Sequence, residues 1–175
     1  MPADSSPGTE RWVEATSAFD RVRSVAFALQ RPRTAGQVAE SAHVAEKTAR
    51  DHLQRLVEMD TVLAETGDGP TTYYPDPAFM RYREVRTLAR DHDRDELTEL
   101  VATLKSDIES WRDEFDVETP DELRASVADA DVSVEAVYER QRVAEDWAYT
   151  EYRLELIREA LAQYDRLTAR PPATA

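Results

Sequence analysis

The stretch TAGQVAESAHVAEKTARDHLQRLVEMDTV, residues 34–62, decides the fold. Thr34, with Gln37 three residues later, predicts the capping box of a short helix. Residues 43–45 predict a tight turn, and the apolar spacing after them predicts a longer helix that ends near Glu58. The positions expected to face inward on these two helices are Val38, Ala42, Ala49, Leu53, Leu56 and Val57.

One further helix precedes this pair. Thr16 or Ser17 can cap it, and Pro32 ends it, because proline lacks the N–H that a helix interior requires. Its expected inward positions are Phe19, Val22, Val25, Ala26 and Leu29. Residues 1–15 are rich in Pro, Ser, Gly, Asp and Glu, so we expect a flexible tail there.

A β-hairpin follows the helices. Residues 62–65 predict a short strand, residues 66–70 a turn and residues 71–74 the return strand, which Pro75 stops. The order over residues 16–76 is therefore helix, helix, helix, hairpin, with a tight turn between the second and third helices. This order is typical of a winged helix-turn-helix domain.

Residues 34–62 resemble the helix-turn-helix of ArsR-type and related archaeal winged-helix transcription regulators. These regulators share a small-residue turn, a Thr-small-x-x-His-Leu-x-x-Leu helix and a short strand that leads into the wing. The positions that match are Thr48, Ala49, His52, Leu53 and Leu56. The resemblance covers about residues 18–76 and implies DNA binding. Metal regulation does not carry over, because the cysteine and paired-histidine sites of the metal sensors are absent. A second departure is Asp60, which stands where glycine is common in the family and tolerates a left-handed backbone less well.

The outward face of the third predicted helix is the candidate DNA-reading surface. The N-terminal residues of a recognition helix reach base edges in the major groove. We therefore expect Lys47 and Arg50 to contact guanine, Gln54 to contact adenine, and Arg55 to contact phosphate. The full set of candidate DNA-binding residues is Arg31, Arg33, Thr34, Lys47, Thr48, Arg50, Asp51, Gln54, Arg55 and Thr71.

Alternatives stay open for these charges. The polar face is also compatible with an ordinary solvated surface carrying i,i+4 ion pairs such as Asp51–Arg55. Glu46 and Asp51 repel phosphate, so each either accepts a hydrogen bond from cytosine or holds an arginine in place. Arg31 and Arg33 lie near the start of the second helix, whose N–H groups favour phosphate. A cluster after the wing either flanks DNA or pairs with acids: Arg81, Arg83, Arg86 and Arg90.

Residues 77–170 predict a helical domain, and residues 171–175 a second flexible tail. Pro77 opens one helix, and a break is expected at residues 91–93. The next helix is amphipathic, with apolar residues at Leu97, Leu100, Val101, Leu104, Ile108, Trp111 and Phe115. A short helix over residues 123–128 follows the cap and proline at positions 119–120.

The last predicted helix is capped by Ser133 and extends to about Ala169. Its apolar residues recur in steps of four and three over three heptads. So long a helix is poorly buried in one chain of this size, which predicts a homodimer through Val143, Trp147, Leu154, Ile157, Leu161 and Tyr164. The alternative is a helical bundle within one chain. A second apolar stripe contains Val137, Tyr138, Ala144, Ala148 and Tyr152. Trp111 and Trp147 either line a ligand pocket or belong to the core.

Charge separates the two halves. The 175 residues contain 22 Lys+Arg and 36 Asp+Glu, a net charge of −14, and the only lysines are Lys47 and Lys105. This arginine- and carboxylate-rich composition resembles cytosolic proteins of extreme halophiles, and we expect a halophilic archaeon as the source. Residues 1–90 carry 12 basic and 13 acidic side chains, and residues 91–175 carry 10 and 23. The nearly neutral half is therefore the one expected to meet DNA.

The sequence thus predicts a mainly α protein with a small β-hairpin wing, a winged helix-turn-helix followed by long amphipathic, coiled-coil-like helices. We expect a cytoplasmic, homodimeric transcription regulator that binds double-stranded DNA, with no cofactor and no membrane span. A nucleophile–base pair, a Gly-rich phosphate loop and a metal-ligand set are absent, which argues against an enzyme. The alternative function is a protein-interaction adaptor built on the same scaffold.

Overall fold

The computed structural model describes residues 7–127 and 133–169, and the chain forms two compact units, Met1–Tyr82 and Arg83–Ala175. The described part is mainly helical with a small three-stranded antiparallel sheet, which confirms the predicted class at that level. The helices are α1 Pro7–Ala15, α2 Ala18–Phe27, α3 Ala35–Ala42, α4 Glu46–Glu58, α5 Pro77–Asp91, α6 Arg94–Phe115, α7 Pro120–Ala125, α8 Val134–Ala162 and α9 Tyr164–Thr168, and the strands are β1 Arg33–Thr34, β2 Val62–Glu65 and β3 Thr72–Pro75.

The first unit extends further along the chain than the predicted boundary at residue 76. The start of α5 belongs to this unit, and its Phe79 ring lies 5.7 Å from the ring of Phe27 on α2. This aromatic contact joins the first turn of α5 to the N-terminal helices. The boundary therefore falls within α5 instead of at its N-terminus.

A helix occupies part of the segment that the sequence predicts to be flexible. Within the predicted tail, residues 1–15, the structure contains helix α1, and residues 1–6 lie outside the described part. Arg21 of α2 is 8% exposed and donates hydrogen bonds to the carbonyl oxygens of Ala42 at 2.9 Å, Val13 at 3.0 Å and Thr16 at 2.6 Å. Carbonyls at helix C-termini lack partners within the helix and favour a cation. One arginine thus ties the C-terminal ends of α1 and α3 together.

The caps of the first unit follow the sequence closely. The side chain of Ser17 accepts a hydrogen bond from the backbone N–H of Asp20 at the start of α2. Thr34 and Gln37 form the predicted capping box of α3. However, α2 ends at Phe27, before the predicted end at Pro32. The buried core of this unit consists of Val22, Ala26, Ala35, Val38, Ala39, Ala42, Ala49, Leu53, Leu56, Val62 and Tyr73.

The sheet contains a strand that the sequence does not predict. The strand order is β1-β3-β2, and Arg33 of β1 lies opposite Tyr73 of β3. A two-residue strand is too short to show an alternating pattern, so only the pairing reveals it. The return strand runs one residue later than predicted, which leaves Thr71 in the connecting turn. Asp60 adopts a left-handed backbone with φ of 55°, a conformation that aspartate tolerates less well than glycine.

The second unit begins in α5 and contains α6–α9. Asp93 caps α6 in a capping box with Glu96, which confirms the predicted break before this helix. α7 starts at Pro120, three residues earlier than predicted, and Ala128 lies outside the described residues. α8 ends at Ala162, so the predicted continuous helix to Ala169 is wrong. The helix is interrupted at Gln163, and α9 begins at the next residue.

The heptad seam of α8 packs within one chain. Trp147 and Ile157 are fully buried, and Leu154 is 6% exposed. Helices α6 and α7 of the same chain cover this face, and the rings of Trp111 and Trp147 lie 6.0 Å apart in its core. The residues expected at the dimer surface are buried or half-buried by helices of the same chain, and their contact with a second copy stays a prediction: Val143, Trp147, Leu154, Ile157, Leu161 and Tyr164. Periodicity marks a buried face without saying which helix buries it.

Candidate nucleic-acid interface

Helix α4 presents a continuous polar face. Its apolar residues Ala49 and Leu53 are fully buried and Leu56 is 1% exposed, which fixes the rotation of the helix about its axis. Because side chains three and four positions apart share a face, the remaining positions turn outward. The residues exposed on this face are Glu46, Lys47, Arg50, Asp51, Gln54 and Arg55, as the sequence predicts, while Thr48 is half-buried.

Glu46 holds Arg50 in place. The Nη2 of Arg50 donates to Oε1 of Glu46 at 2.6 Å, one helical turn apart. Of the two roles that the sequence leaves open for Glu46, the structure contains the one in which it positions an arginine. A Cβ added to Gly36 of α3 would lie 3.6 Å from the Glu46 carboxylate, so this part of α3 approaches Glu46 closely. Asp51 and Arg55, the pair expected from spacing, form no ion pair among the described residues.

Two arginines, Arg31 and Arg33, lie just before α3. Arg31 is exposed and forms no ion pair within the described part of the chain, whereas Arg33 is half-buried in β1. The Oγ1 of Thr34 accepts the backbone N–H of Gln37 at 3.3 Å, so this hydroxyl already acts as a cap. Arg31 is therefore the more accessible of the two arginines for a phosphate.

The β2–β3 turn contains hydroxyl side chains and the carboxylate of Asp68, but no positive charge. Residues 66–71 contain no Arg or Lys. The hydroxyls of Thr66 and Thr71 lie 3.1 Å apart across the turn and share a hydrogen bond. Thr71, a candidate DNA-binding residue, thus has its side chain engaged with Thr66 and is half-buried.

The arginines of α5 include one with a local acidic partner. The Nε of Arg90 donates to Asp91 at 2.7 Å. This hydrogen bond lowers the pKa of the Asp91 carboxyl below its ordinary value and raises the pKa of Arg90. For Arg90, the structure contains the acid pairing that the sequence left open, and the partner is its neighbour in the chain.

His52 is packed beside the candidate interface. Its ring makes an edge-to-face contact with Phe19, with centroids 5.5 Å apart. Its Nδ1 is buried without a hydrogen-bond partner among the described residues. His52 therefore belongs to the inner side of α4 and does not reach the polar face. Among the residues that the structure describes, no group of three or more His, Asp or Glu could hold a metal ion.

One residue that positions a helix of the interface unit is missed by the sequence. Arg21 donates to the carbonyl oxygen of Ala42 in the last turn of α3. The partners of Arg21 lie up to 21 positions away, so its environment has no local signal.

Comparison with known proteins extends over both units. Residues 16–166 match a family described as a family of unknown function (DUF7342). The chain belongs to this family. No curated protein and no solved structure matches the chain. The match begins just before α2 and ends within α9, so the DUF7342 domain includes the polar face of α4 together with the helices of the second unit. Within residues 7–127 and 133–169, no helix has both the length and the hydropathy needed to cross a bilayer.

Proposed function

We propose that this DUF7342 member is a sequence-specific DNA-binding transcription regulator whose first unit is a winged helix-turn-helix. The observation that carries the proposal is the outward face of α4, on which Lys47, Arg50 and Gln54 are exposed together. The tight turn between α3 and α4 and the β2–β3 hairpin after α4 support it, because this order is that of a winged helix.

The proposed contacts follow from side-chain chemistry. Helix α4 enters the major groove, where Arg50 and Lys47 donate to guanine O6 and N7, and Gln54 pairs with adenine. Glu46 keeps the Arg50 guanidinium near one direction, so less side-chain entropy is lost on binding. Arg31 and Arg55 contact phosphates, which fixes the register of the protein on the duplex.

The net charge does not oppose this proposal. The first 90 residues carry 12 basic and 13 acidic side chains, so the unit that meets DNA is nearly neutral. In the molar salt of a halophilic archaeal cytoplasm, which is part of the proposal, the Debye length is about 3 Å. Repulsion from the acidic second half is then screened, and binding depends on close contacts. We expect a shallower loss of affinity with salt than a basic DNA-binding protein shows.

A homodimer completes the proposal. Two copies of the first unit would meet two half-sites of an inverted repeat, whose centres lie about 34 Å apart on one side of the duplex. The two-fold symmetry of such a dimer matches the symmetry of the repeat. The surface that joins the copies is a separate question, because the heptad seam of α8 is filled within one chain.

The test compares DNA binding by matched variants in high KCl. Replacing Arg50 and Gln54 with Ala should abolish the site-specific gel shift, since each bidentate base contact contributes about 1–3 kcal/mol. Arg166→Ala is the control, because Arg166 is exposed on α9 in the other unit. Unchanged binding by the double variant would overturn the proposal. A stoichiometric protein partner recovered without DNA would favour the adaptor instead.

A further inference from the structure

Helix α8 carries an exposed stripe of large apolar side chains. The exposed fractions are 66% for Val134, 69% for Tyr138, 61% for Tyr149 and 40% for Tyr152. At 3.6 residues per turn these four positions fall within an arc of about 60°. We name this set the tyrosine stripe. It lies on a different side of α8 from the buried seam of Trp147 and Ile157.

The tyrosine stripe lies on a face of α8 that α5 covers nearer the C-terminus of the helix. Toward the C-terminus of α8, Leu156 and Ala160 are buried in a cluster with Val85 and Ala89 of α5. Tyr152 lies at the edge of this covered part and donates its hydroxyl to Glu84 of α5 at 2.7 Å. From Tyr149 back to Val134 the face is open. The same side of α8 is thus packed at one end and unpacked at the other.

We propose that a second copy of this chain covers the tyrosine stripe, with the two α8 helices antiparallel across a two-fold axis. This inference names the surface of the homodimer in the proposed function and does not depend on DNA binding. Two further side chains of this face, Arg142 and Glu145, are exposed and form no ion pair within the described chain. They supply the charge complementarity that selects the arrangement.

The register of the two α8 helices follows from two residue pairs, Tyr138–Tyr149 and Arg142–Glu145, because both pairs have the same midpoint in the sequence. If Tyr138 lies opposite the partner's Tyr149, the axis passes between residues 143 and 144. The same axis then places Arg142 opposite the partner's Glu145, and by symmetry Glu145 opposite the partner's Arg142. Parallel helices would instead oppose like charges at both positions, which is unfavourable. The antiparallel register is therefore the one that joins tyrosines and opposite charges at once.

The stripe is large enough to centre an interface. At roughly 200 Å² per tyrosine, the three exposed fractions leave roughly 340 Å² of tyrosine surface on each chain. A standard interface buries about 800 Å² per partner. The tyrosines would supply about two-fifths of that area, and the polar residues beside them form the rim.

Charge reversal tests the pairing. In sedimentation equilibrium at the lowest KCl that keeps the circular dichroism spectrum unchanged, we expect Arg142→Glu alone and Glu145→Arg alone to weaken the dimer at least tenfold. The double variant R142E/E145R restores each pair with its signs exchanged, and we expect its affinity within threefold of the original. Arg158→Glu is the control, because Arg158 is exposed on the opposite side of α8. A double variant that dissociates as readily as the singles would overturn the register.

Cross-linking tests the geometry without relying on charge. The chain has no cysteine, so introduced thiols report only on the chosen positions. A mixture of the Tyr138→Cys and Tyr149→Cys variants should form a covalent dimer on oxidation. Each variant alone should not, because like positions lie roughly 16 Å apart along the antiparallel helices, beyond the reach of a disulfide.

Two outcomes separate this inference from the proposed function. A monomer at every concentration, or equal cross-linking of single variants, would overturn the antiparallel dimer while leaving DNA binding by one unit open. Conversely, the variant with Ala at both Arg50 and Gln54 should keep the full dimer, since α4 lies in the other unit. A dimer of the unsubstituted protein that shows no site-specific DNA binding would refute the proposed function alone.

Discussion

Arg21 gives the sharpest prediction about stability. Its buried guanidinium donates three hydrogen bonds to carbonyl oxygens, and the bond to Ala42 is buried while those to Val13 and Thr16 are partly buried. In Arg21→Met the side chain keeps much of its apolar volume and loses every donor. A buried hydrogen bond to a charged group is worth about 1.5–3 kcal/mol, and a partly hydrated one about 0.5–1. We therefore expect a loss of about 3 kcal/mol.

Urea unfolding at constant KCl measures this loss. Circular dichroism follows the whole transition, and hydrogen exchange of residues 8–16 reports on α1, which should exchange faster when Arg21 no longer holds it. Arg23→Met is the matched control on the same helix, because Arg23 is 46% exposed and makes surface contacts, a pair with Asp20 at 3.0 Å and a cation–π contact with the Phe19 ring at 5.7 Å. Each contact of this kind contributes about 0.2–1 kcal/mol. Equal stability of the two variants would refute the assignment of Arg21 as a link between helices.

Two further predictions concern the interface and the second unit. Glu46→Gln should lower the ratio of specific to non-specific DNA affinity, because Arg50 loses its carboxylate partner and one charge that repels phosphate disappears. Competition with unrelated DNA measures this ratio, and an unchanged ratio would contradict the positioning role of Glu46. Asp93→Ala should cost about 1 kcal/mol in urea unfolding, because the Asp93 carboxylate accepts the backbone N–H groups of Asp95 and Glu96 at 2.9 Å. Asp107→Ala, at an exposed position in the interior of the same helix, is the control and should change stability by less than about 0.5 kcal/mol.

The sequence predicts elements whose signals are local. The capping box that starts at Thr34 was visible because a cap and its partner lie three residues apart. α1 and β1 were missed because distant groups hold them: Arg21 bonds the end of α1, and Tyr73 lies opposite Arg33. The extent of α8 was overestimated for a related reason, since apolar periodicity continues through the break at Gln163.

In the candidate interface, the exposed side chains could be predicted from the sequence, but their ion pairs could not. The inward residues Ala49, Leu53 and Leu56 fix which side chains of α4 turn outward, so the exposed set could be named in advance. Spacing could not choose between ion pairs, because Glu46–Arg50 and Asp51–Arg55 are both four residues apart. The dimer surface stays a prediction, because periodicity cannot tell whether a helix of the same chain or of a partner covers a buried face.

Selection of genomic DNA by the full chain tests the central claim most directly. Sheared DNA is bound in molar KCl, recovered over several rounds and sequenced, beside the Arg50→Ala and Gln54→Ala variants. The proposal predicts enrichment of an inverted repeat, a relaxed guanine position for Arg50→Ala and a relaxed adenine position for Gln54→Ala. The contrary result is recovery of no common sequence, or of one whose preference neither substitution changes.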